Sequence, residues 1–183
     1  YPACFGGPGN DSWAVIGVAA VDRDNQKTGF SNYGSKCIDL VAPGVGIGGP
    51  LVYAPGRPGF AISYGGSFSG TSLSAALVSG AAALLKSLKP DLSPKEVYEL
   101  LTSAADSIFD GDQNQSFTGQ LGAGLLNLGR STEALLAKYP ELAQAAPQPL
   151  SGRVAIGTPG SSLVQIFDLN GQLEKKFYAY KDR

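Results

Sequence analysis

Residues 70–90 read GTSLSAALVSGAAALLKSLKP, and the rest of the chain must be fitted around this stretch. From residue 72 to residue 89 it consists almost wholly of Leu, Ala, Ser, Val and Gly, and Pro90 ends it. The apolar side chains are not confined to one helical face. A helix that is hydrophobic nearly all round is buried in the middle of a protein, so we expect a central helix here.

Two short apolar runs precede this helix. Residues 13–21 form a continuous, β-branched run that is apolar on both faces, which is typical of a strand inside a parallel sheet. Residues 37–41 predict a second short strand, which Pro43 and Gly44 end. Residues 44–70 are dense in Gly, Pro, Ser and aromatic side chains and predict a long loop or hairpin region.

Two more helices are expected after the apolar one. Ser93 and Glu96 have the spacing of a capping box, with Pro94 at the first helical position, and predict a helix that runs to about residue 105. Its apolar stripe comprises Val97, Leu100, Leu101 and Ala104. A third helix is expected over residues 131–138.

The pattern changes towards the C-terminus. Residues 143–152 contain two prolines and predict a linker. Two strand-like runs then flank Asn170-Gly171, a pair that favours the type I′ turn of a β-hairpin. We therefore expect one domain over residues 1–142, the linker, and the start of a further β module over residues 153–183.

Composition excludes several classes of function. Charged residues make up 16% of the 183, the net charge is −1, and no basic block occurs, so nucleic-acid binding is not expected. The longest apolar run, residues 73–85, is shorter than the roughly 20 residues of a membrane span. The chain contains neither His nor Met and begins with Tyr1, so we expect it to be a fragment of a longer product.

Metal and redox sites have little support. Cys4 and Cys37 are too few for a zinc site and too far apart for a CxxC redox motif. A disulfide and two buried thiols are both compatible with their positions. Residues 110–114 carry oxygen side chains at alternate positions, as an EF-hand loop does, but Gln115 stands where that loop requires glycine. We assign no metal site.

Ser72, at the head of the apolar helix, is the candidate for chemistry. Its hydroxyl would lie beside its own backbone N–H and the positive end of the helix dipole, where an oxyanion on a substrate carbonyl is stabilised. Gly70 has no Cβ and lets a substrate backbone approach closely. The same position suits a serine that only caps its helix, so the residues alone leave both readings open.

Several short motifs occur in an order that resembles the subtilisin-like serine proteases (subtilases, peptidase family S8). They are YPA at 1–3, VIGVAAVD at 15–22, GFSNYG at 29–34, IDLVAPG at 38–44, SGTS at 69–72, VSGAAAL at 78–84 and GAGLLN at 122–127. The resemblance covers about residues 1–138 and the C-terminal portion of the family's catalytic domain. It implies an α/β fold, a partial parallel-sheet domain with a central nucleophile helix.

The resemblance also implies a function and a site. Ser72 would be the catalytic nucleophile of a serine endopeptidase that hydrolyses peptide bonds through an acyl-enzyme. Phe68, Ser69, Gly70 and Thr71 would bind the protein or peptide substrate, with Phe68 on the leaving-group side. No cofactor would be required, and the location would be extracellular or at the cell surface. Subtilases often bind structural calcium, but no ligands for it can be assigned in this sequence.

The family's catalytic Asp and His motifs lie upstream of its Tyr-Pro segment, so this chain alone is expected to be inactive.

Two features of the sequence keep a second hypothesis open, the residues after the serine and the C-terminal strands. After the serine the family commonly has Met-Ala-Ala/Ser-Pro-His, whereas this chain has Leu73-Ser-Ala-Ala76-Leu77. Residues 153–183 resemble a blade of the propeller-type repeats of some bacterial surface proteins. The alternative is therefore a degenerate protease-like domain in a cell-surface binding or adhesion protein.

Overall fold

The structure, a computed structural model, describes residues 3–5, 13, 15–110, 113–144, 153–157, 163–168 and 173–178. Its strands are β1 (Val18–Val21), β2 (Leu40–Pro43), β3 (Ile47–Pro50), β4 (Tyr64–Phe68), β5 (Arg153–Gly157), β6 (Leu163–Asp168) and β7 (Leu173–Tyr178). Its helices are α1 (Thr71–Leu88), α2 (Pro94–Ser103), α3 (Leu128–Lys138) and α4 (Glu141–Gln144), with short 3₁₀ turns at Ala3–Phe5 and Gln115–Phe117. The chain divides into two compact units, Tyr1–Ile47 with Ser67–Ala143, and Gly48–Gly66 with Gln144–Arg183.

A parallel pair of strands forms the centre of the first unit. β1 and β2 pair in register, with Val18 opposite Leu40 and Val21 opposite Pro43. Alternate residues of these strands contribute to two apolar clusters, one formed with the helices and one with Ile108 and its neighbours. The pair is therefore buried on both faces, which confirms the prediction of a parallel sheet from continuous apolar runs.

Both strands are shorter than predicted and start later. Only the last four residues of the apolar run 13–21 pair as β1, and β2 begins at Leu40 rather than at residue 37. The reason is that Gly17 makes a different set of bonds: its carbonyl accepts from the backbone N–H of Asp39 and Leu40, at 2.8 and 3.2 Å. A Cβ on Gly17 would lie 1.8 Å from the carbonyl oxygen of Cys37, so the two segments cross closely before the ladder begins.

The apolar helix α1 packs against β1 and β2 along one face. Its buried residues are Ser74, Val78, Ala81 and Leu85, at helical spacing. On other faces Leu77, Leu84 and Leu88 are each about two-fifths exposed. Within the described residues only one side of α1 is therefore covered, and apolar side chains on its other faces are exposed. By length and composition alone α1 also meets the criterion for a membrane span, as core helices of soluble proteins do.

Helices α2 and α3 complete the layer beside α1. The capping box is confirmed: Ser93 accepts the N–H of Glu96, whose carboxylate accepts the N–H of Ser93. The predicted apolar stripe of α2 is buried. The third helix begins at Leu128, three residues earlier than predicted, because the Asn127 side chain accepts the N–H of Arg130 and caps it there.

Residues 44–70 form the predicted hairpin region. β3 and β4 pair as a two-stranded sheet. Backbone bonds from Leu51 N to the Ser63 oxygen and from Ala54 N to the Phe60 oxygen, at 2.9 and 2.8 Å, continue the pairing towards the tip.

The second unit includes a three-stranded antiparallel sheet in the order β5-β6-β7. The pairing of β6 with β7 confirms the predicted hairpin, and β5 adds a strand to it. Its turn pair Asn170-Gly171 lies outside the described residues. The short helix α4, not predicted, takes in residues 143 and 144 of the proposed linker, and residues 145–152 lie outside the described residues. The domain boundaries remain predictions.

Cys4 and Cys37 form a disulfide, which settles the alternative that the sequence left open.

Asn114, within the EF-hand-like spacing, is buried and serves a structural purpose. Its Oδ1 accepts the N–H of Lys27 at 3.0 Å, and its Nδ2 donates to the carbonyls of Asn25 and Ile108 at 2.8 and 2.9 Å. This one amide joins the turn that contains Asn25 and Lys27 to the segment that follows α2.

Candidate active site

The predicted site residues form one continuous turn between β4 and α1. Phe68 is the last residue of β4, Gly70 is the N-cap of α1, and Thr71 and Ser72 are its first two helical residues. The Ser72 side chain is exposed. No side chain caps the helix, so the interpretation of Ser72 as an N-cap is wrong. Its N–H belongs to the first turn, where N–H groups have no acceptor within the helix.

The turn is attached to the sheet by Gly44. The carbonyl of Gly44 accepts the N–H of Gly70 at 2.8 Å, and the N–H of Gly44 donates to the carbonyl of Val21 at 2.9 Å. A Cβ on Gly44 would lie 2.5 Å from Ser74 Oγ and 2.7 Å from the Cβ of Ala20. Only glycine allows this approach, and the start of α1 is therefore held directly above the ends of β1 and β2.

Two serine hydroxyls add to this attachment. Ser69 Oγ accepts the N–H of Gly46 at 3.3 Å, and Ser74 Oγ donates to the carbonyl of Pro43 at 3.1 Å. Sequence reasoning placed Ser69 at the site but missed Gly44 and Ser74. Pro43 and Gly44 end the predicted second strand and close the motif IDLVAPG at 38–44, and this motif is the signal that could have led to Gly44.

The residues that precede Ser72 in the turn are exposed or half-buried. Phe68 is 46% exposed, Ser69 is exposed, and Gly70 and Thr71 are half-buried. Across the described residues, no side chain makes a hydrogen bond to the Ser72 hydroxyl. Ala76 and Leu77, where the family pattern has Pro and His, are exposed, and α1 continues through them without a break.

The ionisable groups whose pKa values are shifted lie away from this turn. The hydroxyl of Tyr139, the backbone N–H of Ser93 and the ammonium of Lys138 hold the pKa of Glu96 far below its usual range. The guanidinium of Arg130 and the amide of Asn127 lower the pKa of Asp106. These groups connect α2 and α3 to their neighbours. No cluster of three candidate metal ligands occurs among the residues that the structure describes.

Comparison with known proteins gives a consistent result. The subtilase family model matches residues 6–124, which include the whole candidate site. A "probable subtilase-type serine protease" of Deinococcus radiodurans is 35% identical over 160 residues, covering 80% of this chain and 21% of that protein. Subtilisin Savinase of Lederbergia lenta is 33% identical over 118 residues, covering 64% of this chain and 38% of that protein.

Two solved structures have a similar fold. A protease of Pseudoalteromonas arctica superposes with a TM-score of 0.55 at 30% identity, covering 68% of this chain and 37% of that one. The patellamide maturation protease PatA superposes with a TM-score of 0.53 at 30% identity, covering 74% of this chain and 46% of that one. The chain spans between 21% and 38% of the length of these curated relatives. The sequence-based assignments of family and α/β fold class are confirmed: the chain belongs to the subtilase family.

Proposed function

We propose that this chain is part of a serine endopeptidase that hydrolyses peptide bonds through an acyl-enzyme on Ser72. The observation that carries the proposal is the position of Ser72: exposed, second in α1, with the capping position taken by Gly70. Membership of a family of serine proteases supports this assignment. A serine placed there has its hydroxyl free for substrate and its own N–H available as a donor.

The proposed reaction uses these two groups together. Ser72 Oγ attacks the carbonyl carbon of the scissile peptide and loses its proton to a general base. The Ser72 N–H donates to the oxyanion that forms, at the positive end of the α1 dipole. The C–N bond then breaks, the amine leaves with the proton, and water hydrolyses the ester to regenerate the serine.

The neighbouring residues would bind the peptide. The backbone of Gly70 and Thr71 would contact the substrate chain, and the exposed Phe68 side chain would line the leaving-group side of the cleft. Ser69 would hold the turn through its bond to Gly46. The substrate class is protein or peptide, and no cofactor is required for this chemistry.

Family resemblance implies that the general base is a His, and the chain contains none, so the base would come from outside these residues. We therefore propose that the 183 residues are inactive alone and that a longer protein supplies the His and the Asp that orients it. We place that protein outside the cell or at its surface. The Cys4–Cys37 disulfide supports this placement, since disulfides persist in oxidising compartments.

The test is covalent labelling of the protein extended upstream along its reading frame. A sulfonyl fluoride should label Ser72, as located by peptide mass spectrometry, and the protein should cleave casein. Ser72→Ala should abolish both, whereas Ser79→Ala, at another exposed serine of α1, should leave both unchanged. The 183-residue chain alone should not be labelled.

Two outcomes would contradict the proposal. Absence of labelling and cleavage in the folded longer protein would favour a degenerate protease-like domain in a binding or adhesion protein. The departures at Ala76 and Leu77 are the observation that keeps this alternative. Cleavage by the 183 residues alone would show that the base is not a histidine.

A further inference from the structure

We infer that Ser74 is a positioning residue for Ser72: its buried hydroxyl fixes the first turn of α1 against the end of β2. This inference rests on the proposed role of Ser72 as nucleophile. Ser74 touches no reacting atom and would act only by holding the Ser72 hydroxyl and N–H in place.

The two attachments of the turn lie on either side of Ser72. On one side, the N–H of Gly70 donates to the carbonyl of Gly44 at 2.8 Å. On the other, Ser74 Oγ donates to the carbonyl of Pro43 at 3.1 Å. The acceptors are consecutive residues at the end of β2, so α1 cannot rotate or slide at its start without breaking one of the bonds.

The acceptor of the Ser74 hydrogen bond distinguishes this side chain from the other hydroxyl groups in the described helices. Hydroxyl side chains within a helix usually donate to a carbonyl of the preceding turn. The bonds of this kind run from Ser87 to Leu84, Thr102 to Tyr98, Ser131 to Asn127 and Thr132 to Leu128. Ser74 instead donates to a residue 31 positions earlier, in a strand. It is an attachment between two elements rather than a local one.

The space for this hydroxyl is provided by Gly44. Ser74 is fully buried, and a Cβ on Gly44 would lie 2.5 Å from its Oγ. The two residues are therefore complementary in size: Gly44, just after β2, leaves room for the buried Ser74 side chain of α1. Replacement of Ser74 by Ala would leave both a gap and a carbonyl of Pro43 without this donor.

The consequence for catalysis is geometric. Attack and oxyanion stabilisation both require the serine to lie within a fraction of an ångström of its productive position, and a shift of about 1 Å can cost as much as 100-fold in rate. If the first turn of α1 were held less firmly, Ser72 would occupy shifted positions for part of the time, although every group that binds substrate would remain. The effect should therefore appear in kcat rather than in KM.

The experiment compares Ser74→Ala with Ser131→Ala in the longer protein. Ser131 is also fully buried and its hydroxyl also donates to a backbone carbonyl, at 2.8 Å, but it lies on α3. The measurements are Tm, the rate constant for labelling of Ser72 by a sulfonyl fluoride, and kcat and KM for a chromogenic peptide. Concentrations are corrected by active-site titration.

We expect Ser74→Ala to lower both the labelling rate and kcat by roughly ten-fold with KM unchanged. Ser131→Ala should lower Tm by a similar amount and leave the three kinetic values within two-fold. Unchanged labelling and kcat in Ser74→Ala, or equal losses in Ser131→Ala, would overturn the positioning role while leaving Ser72 as nucleophile. Absence of Ser72 labelling in the unmodified protein would overturn the proposed function and the positioning role together.

Discussion

The hydroxyl of Tyr98 on α2 donates a 2.9 Å hydrogen bond to Oδ1 of Asp39, a residue 59 positions earlier. The other carboxylate oxygen of Asp39 accepts the N–H of Gly17 at 2.7 Å. One side chain therefore joins α2 to the segments that lead into β1 and β2. Burial, and then the bond to Asp39, raise the pKa of Tyr98 to about 12.

Tyr98→Phe should destabilise the protein at neutral pH by about 1 kcal/mol, the net value of one hydrogen bond. An unfolded Tyr has a pKa of about 10, so between pH 10 and 12 the unfolded chain loses a proton that the folded chain keeps. The contribution of Tyr98 is thus complete below pH 10 and is lost as the pH rises to 12. Unfolding free energies from urea titrations at pH 8 to 11.5 should fall less steeply in Tyr98→Phe. The exposed Tyr64→Phe serves as control, and an equal slope in all three proteins would contradict the assignment.

Glu96→Gln should reduce the sensitivity of the fold to acid. The hydroxyl of Tyr139, first among several donors, lowers the pKa of Glu96, so its contribution is present above the unfolded value of about 4.3 and is lost as the pH falls below it. Urea midpoints measured from pH 7 to pH 3 should therefore decline less in Glu96→Gln than in the unmodified chain. Glu99→Gln, on the same helix, should decline like the unmodified chain. Some decline will remain, because the pKa of Asp91 and that of Asp106 are also lowered.

Gly122→Ala should be far more destabilising than Gly119→Ala. Both glycines have left-handed backbone, with φ of +64° and +73°, so the two substitutions share a conformational cost of about 1–2 kcal/mol. Only at Gly122 would the new Cβ collide with backbone, 2.2 Å from the carbonyl carbon of Asp39. Thermal unfolding of the two variants measures the difference. Equal losses would show that the close approach of residue 122 to Asp39, just before β2, is not maintained in solution.

Asn114→Asp should cost about 2–4 kcal/mol, because a carboxylate cannot donate to the carbonyls of Asn25 and Ile108 that now accept from the amide. Gln113→Asp places the same charge on the exposed neighbouring residue and should have little effect. Urea titration at pH 7 provides the comparison.

Although Asn114-Gln-Ser116 has the pattern of a glycosylation sequon, both amide hydrogens are used in the fold, and the folded protein should not accept a glycan there.

The exposed leucines of α1 should cause the 183-residue chain to self-associate. Leu77 and Leu84 lie two turns apart and are about two-fifths exposed, and exposed apolar surface of this kind promotes association. Sedimentation velocity should show concentration-dependent association that Leu77→Lys with Leu84→Lys abolishes. Ser87→Lys, which adds charge at an exposed polar position, should not abolish it. A chain that is monomeric at all concentrations would contradict this expectation.

Local patterns in the sequence were sufficient for α1, for α2 and for most of α3, whereas the short helix α4 was not predicted. Composition identified α1, the spacing of Ser93 and Glu96 gave the start of α2, and the order of motifs led to Ser72 and the residues before it. The two helix predictions depend on side chains within a few positions of one another, where sequence spacing converts directly into distance. Ser72 was instead reached through motifs spread over residues 1–127, by family resemblance.

Contacts between distant segments were beyond the reach of the sequence. The start of β2 depends on Gly17, the bond of Ser74 on Pro43, and the position of Asn114 on Asn25, all of them pairings that only the folded backbone brings together. The pairing of Cys4 with Cys37 is of the same kind. Spacing along the chain specifies which face a residue occupies within its own element, whereas its partner is set by how those elements pack.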